Sequence, residues 1–496
     1  MAMKIKHVFE NILGCQIVGS PETVITGLTA NSKEVKKGYL FIAKKGATFD
    51  GSNYIQDAIQ KGAVAVLTQN FQITQKDIAV IFNPCVAQIE SQVAANFYGH
   101  PSHKLFLVGI TGTNGKTTTS FIVKDLLDSF LGPCGLIGTI ENIIGKQRYK
   151  STHTTPDVTT NHRFLNEMCN EGCQSAVMEV TSHALDQGRV DQIDFDVAVF
   201  TNLKQDHLDY HETMEKYFSS KKQLFQNLKK TSPKTNEKWA VINLDSDWAR
   251  QIIESCDANI LSYGINNSMA DLNATDLSFQ TNGTHIRLIY KDEEVDCWWP
   301  LIGRFNAYNC LAAIGVLLAR KIDLKEIVKL MKKIPAVPGR LQGIPNTYEL
   351  NVYVDYAHTD DALIKVLDTL KEVKSKKGRI LIVFGCGGDR DRSKRIKMAQ
   401  AAEEGADYCI VTSDNPRSEN PMQICEEISK GFSSMNCYEI EIDRKKAIHR
   451  VLSIADKEDI VLIAGKGHEA YQIFADRVVE FDDCLVVKNF EKALIH

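Results

Sequence analysis

The seven residues from Gly112 to Thr118, GTNGKTT, have the types and spacing of a loop that wraps phosphate. Glycine lets the backbone turn tightly enough for several N–H groups to face one anion, and a following helix N-terminus adds partial positive charge. Lys116 is spaced to reach the β- and γ-phosphates of a nucleotide, and Thr117 to offer its hydroxyl to Mg²⁺. The common form of this motif has a glycine five residues ahead of its second one. Here that place holds Ile110, and Gly112 stands three ahead of Gly115. A tight turn with no ligand is the plainer reading, and the order of strand, loop and helix around the motif argues against it.

A second set of residues is acidic and imidazole. Glu179 follows the apolar run SAVM, and Asp206, His207 and Asp209 follow VAVF within TNLKQDHLDYH. Both runs read as strands of the unit that holds the phosphate loop. These groups are therefore expected on one rim, where a carboxylate and a neutral imidazole complete Mg²⁺ shells that phosphate oxygens leave open. Taken singly, they read as a solvated carboxylate and a surface or capping histidine. A third set lies in VFGCGGDRDR, where Gly385, Gly387 and Gly388 follow another apolar run. A dinucleotide fingerprint needs a further glycine at the place of Arg390, which argues against a nicotinamide site. Arg390, and Arg417 on the Pro-stiffened turn SDNPR, instead offer planar guanidinium groups suited to carboxylate or phosphate.

Positioning these residues requires alternating strands and helices. LFLVGIT from Leu105 predicts a strand, followed by the glycine loop and a helix TTTSFIVKDLLDSFL that ends at Gly132. Strands are also predicted at Ala176 to Val180, Val197 to Thr201 and Trp239 to Asn243, giving a mostly parallel sheet with crossover helices. Ahead of them, YLFIA and AVAVL with their KKG, DG and KGA punctuation predict a small α/β unit around a helix near Tyr54 to Lys61. Pro335 and Pro338 in IPAVPGR mark a linker, after which YVDYA, RILIVFG, YCIVTS and DIVLIAG repeat the α/β rhythm. Ligands of open α/β sheets sit beyond the carboxyl ends of strands, which is where the candidate residues fall.

The chain has 496 residues, which favours three compact units over one. Its 58 Lys and Arg against 62 Asp and Glu leave a net charge of −4, so no basic surplus draws nucleic acid or anionic lipid, and an anionic ligand must be held locally. The longest clearly apolar run, Cys310 to Ala319, is far below the roughly 18–20 residues of a spanning helix. Lys4, Lys6, His7 and Glu10 near the start interrupt any leader-like apolar stretch, so a cytoplasmic protein without membrane insertion is expected. Thirteen scattered cysteines, without paired zinc-ligand spacing, read as free thiols.

In order along the chain, NSKEVKKGYLFIA, GTNGKTT, TTPD, MEVTSHAL, TNLKQDHLDYH, YFSSKKQLF, GRFNAYNCLAA, VPGRLQ, VDYAHT, VFGCGGDRDRSKR, DNPR and AGKGHEAYQ resemble the Mur ligases. These are the ATP-dependent amide-forming enzymes of peptidoglycan synthesis, and the likeness is to those that add the third amino acid. It runs from about Gly27 to Gln472. The resemblance implies an α/β chain of three domains. They are a small N-terminal UDP-binding domain at 1–100, a central P-loop ATPase-like domain at 101–335 with a mostly parallel sheet, and a Rossmann-like amino-acid-binding domain at 336–496.

The same resemblance implies roles by position. Ser32 matches a uridine contact, and Thr154, Thr155, Thr181, Gln187 and Arg189 match positions that hold the nucleotide-muramoyl dipeptide. Gly112, Thr113, Asn114, Gly115, Lys116, Thr117 and Thr118, with Asn306, Asn309, Arg340, Asp355 and His358, match positions around ATP. Thr117, Glu179, His207 and Lys221 are implied for two magnesium ions, with Lys221 converted by CO₂ to a carbamate, which turns a cation into an anion. Lys116, Glu179, His207 and Lys221 form the implied catalytic set. Arg390, Asp414, Asn415, Pro416, Arg417, Gly465 and Glu469 match amino-acid contacts, with Glu469 taking the ammonium end.

Meso-diaminopimelate carries a far carboxylate that lysine lacks, and Arg417 would pair with it bidentately. The implied reaction joins diaminopimelate to the D-glutamate of UDP-N-acetylmuramoyl-L-alanyl-D-glutamate through an acyl phosphate, with ATP between the central and C-terminal domains, a hinge closure and a monomeric enzyme. Asn31, Lys33, Thr181, Asp360 and Asn420 stand where the family commonly has Asp, Arg, Ser, Pro and Asp. Two rival readings are a folylpolyglutamate synthase, which shares the phosphate loop and the modified lysine but needs neither a UDP pocket nor DNPR, and a P-loop switch protein without amide chemistry.

Overall fold

The structure is a computed structural model that describes residues 1–46, 50–70, 77–228 and 232–491. The chain divides into two compact units, Met1–Asp271 with Ala312–Ile322, and Leu272–Leu311 with Asp323–His496.

The first unit begins with a five-stranded sheet in the order Gln16–Val18, Ala79–Phe82, Ala65–Thr68, Tyr39–Ala43, Gly27–Thr29. All but the first strand run parallel. Alternate residues serve two cores. Leu40, Ile42, Leu67 and Ile81 pack with Val93 and Phe97 of the helix Val86–Tyr98, while Phe41, Ala43 and Val66 pack with Ile55 and Ala58. Both faces are covered, so the strands read as unbroken apolar runs.

The larger sheet of this unit has a parallel core in the order Cys134–Ile137, Ser175–Glu179, Phe106–Thr111, Val197–Phe200, Trp239–Asn243, Asn259–Ile265. Its register decides what the site can be. Glu179 lies beside Ile110, and Phe200 beside Thr111, so the three strands end level. Gly112, Val180 and Thr201 consequently leave the sheet at one rim. An antiparallel hairpin, Glu141–Ile144 with Gln147–Lys150, extends the edge beyond Cys134–Ile137; the apolar runs predict four of the six parallel strands, and neither Cys134–Ile137, Asn259–Ile265 nor the hairpin.

The helix Val158–Asn170 follows the TTPD segment, and Asp157 caps it by accepting from the Thr160 N–H at 3.0 Å. His162 on this helix is wholly buried; its Nε2 donates to the Asp191 carbonyl at 3.3 Å and its Nδ1 has no partner. Burial pushes the imidazole pKa down to about 4. The unfolded chain takes up this proton near pH 6.5, before the folded one does, so the contribution is full above that value and is lost as pH falls toward 4. It amounts to roughly 3 kcal/mol. Urea midpoints of the wild type should therefore drop between pH 6.5 and 4 more steeply than those of His162→Gln, and parallel curves would refute this.

In the second unit, Leu272–Gln280, Gly283–Tyr290 and Glu293–Trp299 form an antiparallel meander. A second sheet has the order Gln342–Gly343, Asn351–Asp355, Ile460–Ala464, Ile380–Phe384, Tyr408–Val411, Tyr438–Ile440, parallel except for the first strand. Ile380, Ile382 and Phe384 face one apolar core and Leu381 and Val383 another, so helices cover both faces. This is the doubly wound arrangement the four apolar runs predict, with Tyr438–Ile440 added as a half-buried edge strand.

Four of the five unusual residues occupy helix starts. Asn31 accepts from the Lys33 N–H at 3.0 Å, Thr181 from Ala184 at 3.2 Å and Asn420 from Met422 at 2.9 Å. Asp360 is the first residue of the helix Asp360–Val373. Asn and Asp, and Thr and Ser, cap helices comparably, and an acid suits the first turn as a proline does, so these exchanges preserve local structure. Nothing in the structure explains Lys33, which is exposed. None of the thirteen cysteines forms a disulfide. Among the described residues, no helix is long and apolar enough to cross a membrane.

Candidate active site

On the first unit the phosphate loop joins the strand Phe106–Thr111 to the helix Lys116–Leu131. Gly112 has φ +146°, and a Cβ there would collide with the Thr201 hydroxyl; Gly115 has φ +86° at the helix cap. Only glycine fits the first place without displacing the neighbouring strand end. That neighbour also pins the loop. The Thr201 hydroxyl donates to the Asn114 carbonyl at 2.6 Å, Asn202 accepts from the Asn114 N–H at 3.1 Å, and Thr113 N–H donates to the Asn202 carbonyl at 2.8 Å. Lys116 Nζ bends over the loop to the carbonyls of Gly112 and Thr113, both at 2.9 Å. Thr118, in the first turn of the helix, is buried.

Glu179 is wholly buried at the end of its strand. Its Oε2 accepts from the Thr117 hydroxyl at 2.9 Å and from the Thr139 hydroxyl at 2.8 Å, and its Oε1 from the Thr139 N–H at 2.8 Å. Thr139 also meets Thr154, Oγ1 to Oγ1, at 3.1 Å. Thr155 donates to the Glu179 carbonyl at 2.8 Å and accepts from the Thr181 N–H at 3.1 Å, while its own carbonyl accepts from Arg189 at 3.0 Å. Gln187 accepts from Arg189 Nε at 3.0 Å. One hydrogen-bonded network thus runs from Thr117 through Glu179 to Thr154, Thr155, Thr181, Gln187 and Arg189. Ser32 stands on the other sheet of this unit, in the turn after Gly27–Thr29, where its carbonyl accepts from Lys61 at 3.1 Å.

Lys221 is buried on the helix Met214–Gln226, its Nζ donating to the Gly112 carbonyl at 3.0 Å and lying 4.5 Å from the Tyr217 ring centroid. Burial first and the Lys116 charge second push its pKa well below that of an ordinary lysine, while Asp206 pulls it back. The Tyr217 hydroxyl reaches Thr113 Oγ1 at 3.1 Å. His207 has φ +53° and an exposed ring that meets the His183 and Tyr217 rings edge-on at 4.9 and 6.1 Å.

Among the described residues, no group of three or more His, Cys, Asp and Glu side chains gathers to hold a metal ion. Thr117 and Glu179 nevertheless bring two hard oxygen donors together at the phosphate loop. That suits Mg²⁺, which keeps several waters and takes further oxygens from phosphate.

On the second unit, Asn306 and Asn309 lie on the first turns of the helix Arg304–Ala319; Asn306 donates to the Ile302 carbonyl at 2.9 Å and accepts from Asn309 at 3.2 Å. Asp355 ends its strand and accepts from the N–H groups of Leu341 at 2.6 Å and Ala357 at 2.7 Å. Burial raises its carboxyl pKa, opposed first by Arg340. The Arg340 guanidinium lies 5.4 Å from the Tyr356 ring centroid and leaves a buried Nε unpartnered. His358 Nδ1 donates to the Tyr356 carbonyl at 2.8 Å.

The DNPR turn follows Tyr408–Val411 and carries Arg417 at φ +52°, held by its N–H to the Ile473 carbonyl at 3.0 Å. Arg417 Nη1 donates to the Gly388 carbonyl at 2.7 Å. A Cβ on Gly388 would collide with the Pro416 carbonyl, and one on Gly387 would stand 2.8 Å from Arg417 Nη1. The glycines of GCGGDR therefore let that loop close on the DNPR turn, which is why they lack dinucleotide spacing. Gly465, at φ +111°, would place a Cβ 2.7 Å from Asp414 Oδ2. Asn415 donates to Glu469 at 2.9 Å, and Arg390 is exposed. Thr139, Thr201, Asn202 and Lys466 are residues of these networks that the motifs did not single out; each falls within two residues of the end of an apolar strand, which is a usable signal.

Residues 24–99, 110–317 and 339–467 match three family models, described as the Mur ligase family catalytic domain, the Mur ligase middle domain, and the Mur ligase glutamate ligase domain. The chain belongs to the Mur ligase family, whose members are ATP-dependent amide ligases of peptidoglycan precursor synthesis. Within it, the chain is 41% identical over 96% of both chains to a protein of Caldanaerobacter subterraneus subsp. tengcongensis named UDP-N-acetylmuramoyl-L-alanyl-D-glutamate–2,6-diaminopimelate ligase. It is 45% identical over 92% of its length and 93% of the relative's to a Chlamydia pneumoniae protein of the same name. A solved structure titled with that ligase name superposes with a TM-score of 0.73 at 34% identity, covering 98% of each chain.

Proposed function

We propose that the chain forms the amide between meso-diaminopimelate and the side-chain carboxylate of D-glutamate in UDP-N-acetylmuramoyl-L-alanyl-D-glutamate, driven by ATP. The near-full-length likeness to relatives of this one name carries the reading. In the first step a carboxylate oxygen attacks the γ-phosphorus and ADP leaves; in the second the diaminopimelate amine attacks the acyl carbon, phosphate leaves and the nitrogen loses a proton. Two anions approach in the first step, so a fixed cation is needed where charge accumulates. Lys116 is assigned that place, and the N–H groups of Gly112 to Thr118 the cradling of the phosphates.

Thr117 and Glu179, with His207 and Lys221, are assigned to hold Mg²⁺, which when bound supplies charge neutralisation at the phosphate oxygens. Thr154, Thr155, Thr181, Gln187, Arg189 and Ser32 are assigned to the nucleotide peptide. Asn306, Asn309, Arg340, Asp355 and His358 are assigned to the rest of ATP. The division 1–100, 101–335 and 336–496 is kept for the corresponding domains, and the enzyme is read as a cytoplasmic monomer.

Lys221 as an ammonium would repel the metal it is meant to serve. Its depressed pKa favours the neutral amine, whose lone pair can add to the carbon of CO₂ to form an N–C bond with loss of one proton. The product is an anion. Protein equilibrated with ¹³C-bicarbonate should show one carbamate carbon resonance that Lys221→Arg lacks; a spectrum identical for the two proteins would refute the modification.

The function is tested by measuring ADP release and product mass with each substrate omitted in turn, and with lysine or a folate in place of diaminopimelate or the UDP-dipeptide. ADP release that needs both the UDP-dipeptide and diaminopimelate supports the proposal. Turnover with a folate substrate, or without any amine, contradicts it.

A further inference from the structure

Lys466 belongs to none of the assignments above, yet it is wholly buried among residues assigned to the amino acid. It follows the strand Ile460–Ala464. Its Nζ donates to Asn415 Oδ1 at 3.1 Å and to Glu469 Oε2 at 3.4 Å, and stands 5.5 Å from the Tyr471 ring centroid. Asn415 closes the triangle through its donation to the same Glu469 oxygen at 2.9 Å. Asn415 Oδ1 also accepts from the Ile473 N–H at 3.1 Å, and the Ile473 carbonyl accepts from the Arg417 N–H at 3.0 Å. A chain of hydrogen bonds therefore leads from the ammonium to both polar ends of the amino-acid set.

Burying an ammonium costs several kcal/mol unless nearby anions offset it. Burial is the largest influence on Lys466 and lowers its pKa, while Asp414 and Glu469 oppose that and Arg444, paired with Asp483, adds to it. A lysine needed only for packing would be replaced by an apolar residue without loss. What a lysine adds here is direction. Glu469 Oε2 is engaged twice, by Asn415 and by Lys466, which restrains the carboxylate, and a carboxylate free to rotate would offer no such preference.

We propose that Lys466 is a positioning residue for the amino-acid substrate: it fixes Glu469 through one oxygen so that the other takes the substrate ammonium, and it anchors Asn415 so that the DNPR turn presents Arg417. The proposal rests on the reading of this set as the diaminopimelate site.

The test compares full-length Lys466→Met, which removes the donor, with Lys466→Gln, which keeps a donor without charge. Titration calorimetry with diaminopimelate is combined with KM for each of the three substrates. Lys466→Met should raise KM and Kd for diaminopimelate about tenfold or more, with KM for ATP and the UDP-dipeptide within about twofold of wild type, and Lys466→Gln should recover most of the loss. An unchanged diaminopimelate KM in Lys466→Met, a parallel rise of all three KM values, or a glutamine variant no better than methionine would overturn it. If Lys466→Met does not fold, Lys466→Gln decides alone: a rise of about two- to threefold confined to diaminopimelate supports the proposal, and no rise or a general one refutes it. A wild type that ignores diaminopimelate would refute the underlying reading instead, so the two failures are distinguishable.

Discussion

Lys116→Ala is expected to lower ADP release by about a thousandfold or more, equivalent to roughly 4 kcal/mol of transition-state stabilisation. The size follows from the chemistry assigned to the loop. A carboxylate must reach a phosphoryl group that already carries negative charge, and catalysis of such transfers is largely positioning and charge compensation. Lys116 is held over the loop by the Gly112 and Thr113 carbonyls, a short reach from where the phosphates would lie against the loop N–H groups. The loop itself should survive the change, because Thr201 and Asn202 fix its backbone independently of the lysine. Nucleotide affinity should consequently fall far less than turnover. Near-normal ADP release from a folded Lys116→Ala protein would remove the lysine from the mechanism.

The second large effect is on choice of amine. Arg417→Ala should reduce kcat/KM for diaminopimelate by about 10²–10³-fold, the loss of two charge-assisted hydrogen bonds worth roughly 3–4 kcal/mol together. Lysine, which has no far carboxylate, should lose little, so the preference between the two amines should nearly vanish. Arg417 Nη1 donates to two backbone carbonyls, Gly388 at 2.7 Å and Asn415 at 3.5 Å, so a far carboxylate would engage the other N–H groups of the guanidinium. Arg417→Lys should recover only part of the loss, because an ammonium keeps the charge and gives up the fork. Equal losses for both amines would assign Arg417 to the turn rather than to recognition.

Much of this arrangement was legible in the sequence for a physical reason. Strands buried on both faces are unbroken apolar runs, and LFLVGIT, SAVM, VAVF and ILIVF mark such strands directly. Residues beyond the carboxyl ends of parallel strands follow those runs, so the places of Gly112, Glu179, Arg390 and Arg417 at or after strand ends could be read from the sequence. The meander Leu272–Trp299 was missed because its strands alternate polar and apolar residues, as in the exposed half of Leu272–Gln280, and so resemble loops or short helices. Thr139 and Lys466 were missed because they act on other side chains. Thr139 holds Glu179 from the bend after the strand Cys134–Ile137, and Lys466 holds Asn415 from fifty-one residues away, pairings that only the folded chain creates. The unusual Asn31, Thr181, Asp360 and Asn420 lost their apparent significance once each was seen to start a helix.

The fate of one oxygen atom tests the central chemistry most directly. If the side-chain carboxylate of D-glutamate is labelled with ¹⁸O in the UDP-dipeptide, attack on ATP and displacement by diaminopimelate must carry one labelled oxygen into inorganic phosphate. Mass spectrometry of the phosphate should find one ¹⁸O for each amide formed. Unlabelled phosphate accompanying full amide formation would mean that the carboxylate never receives the phosphoryl group, and would contradict the mechanism.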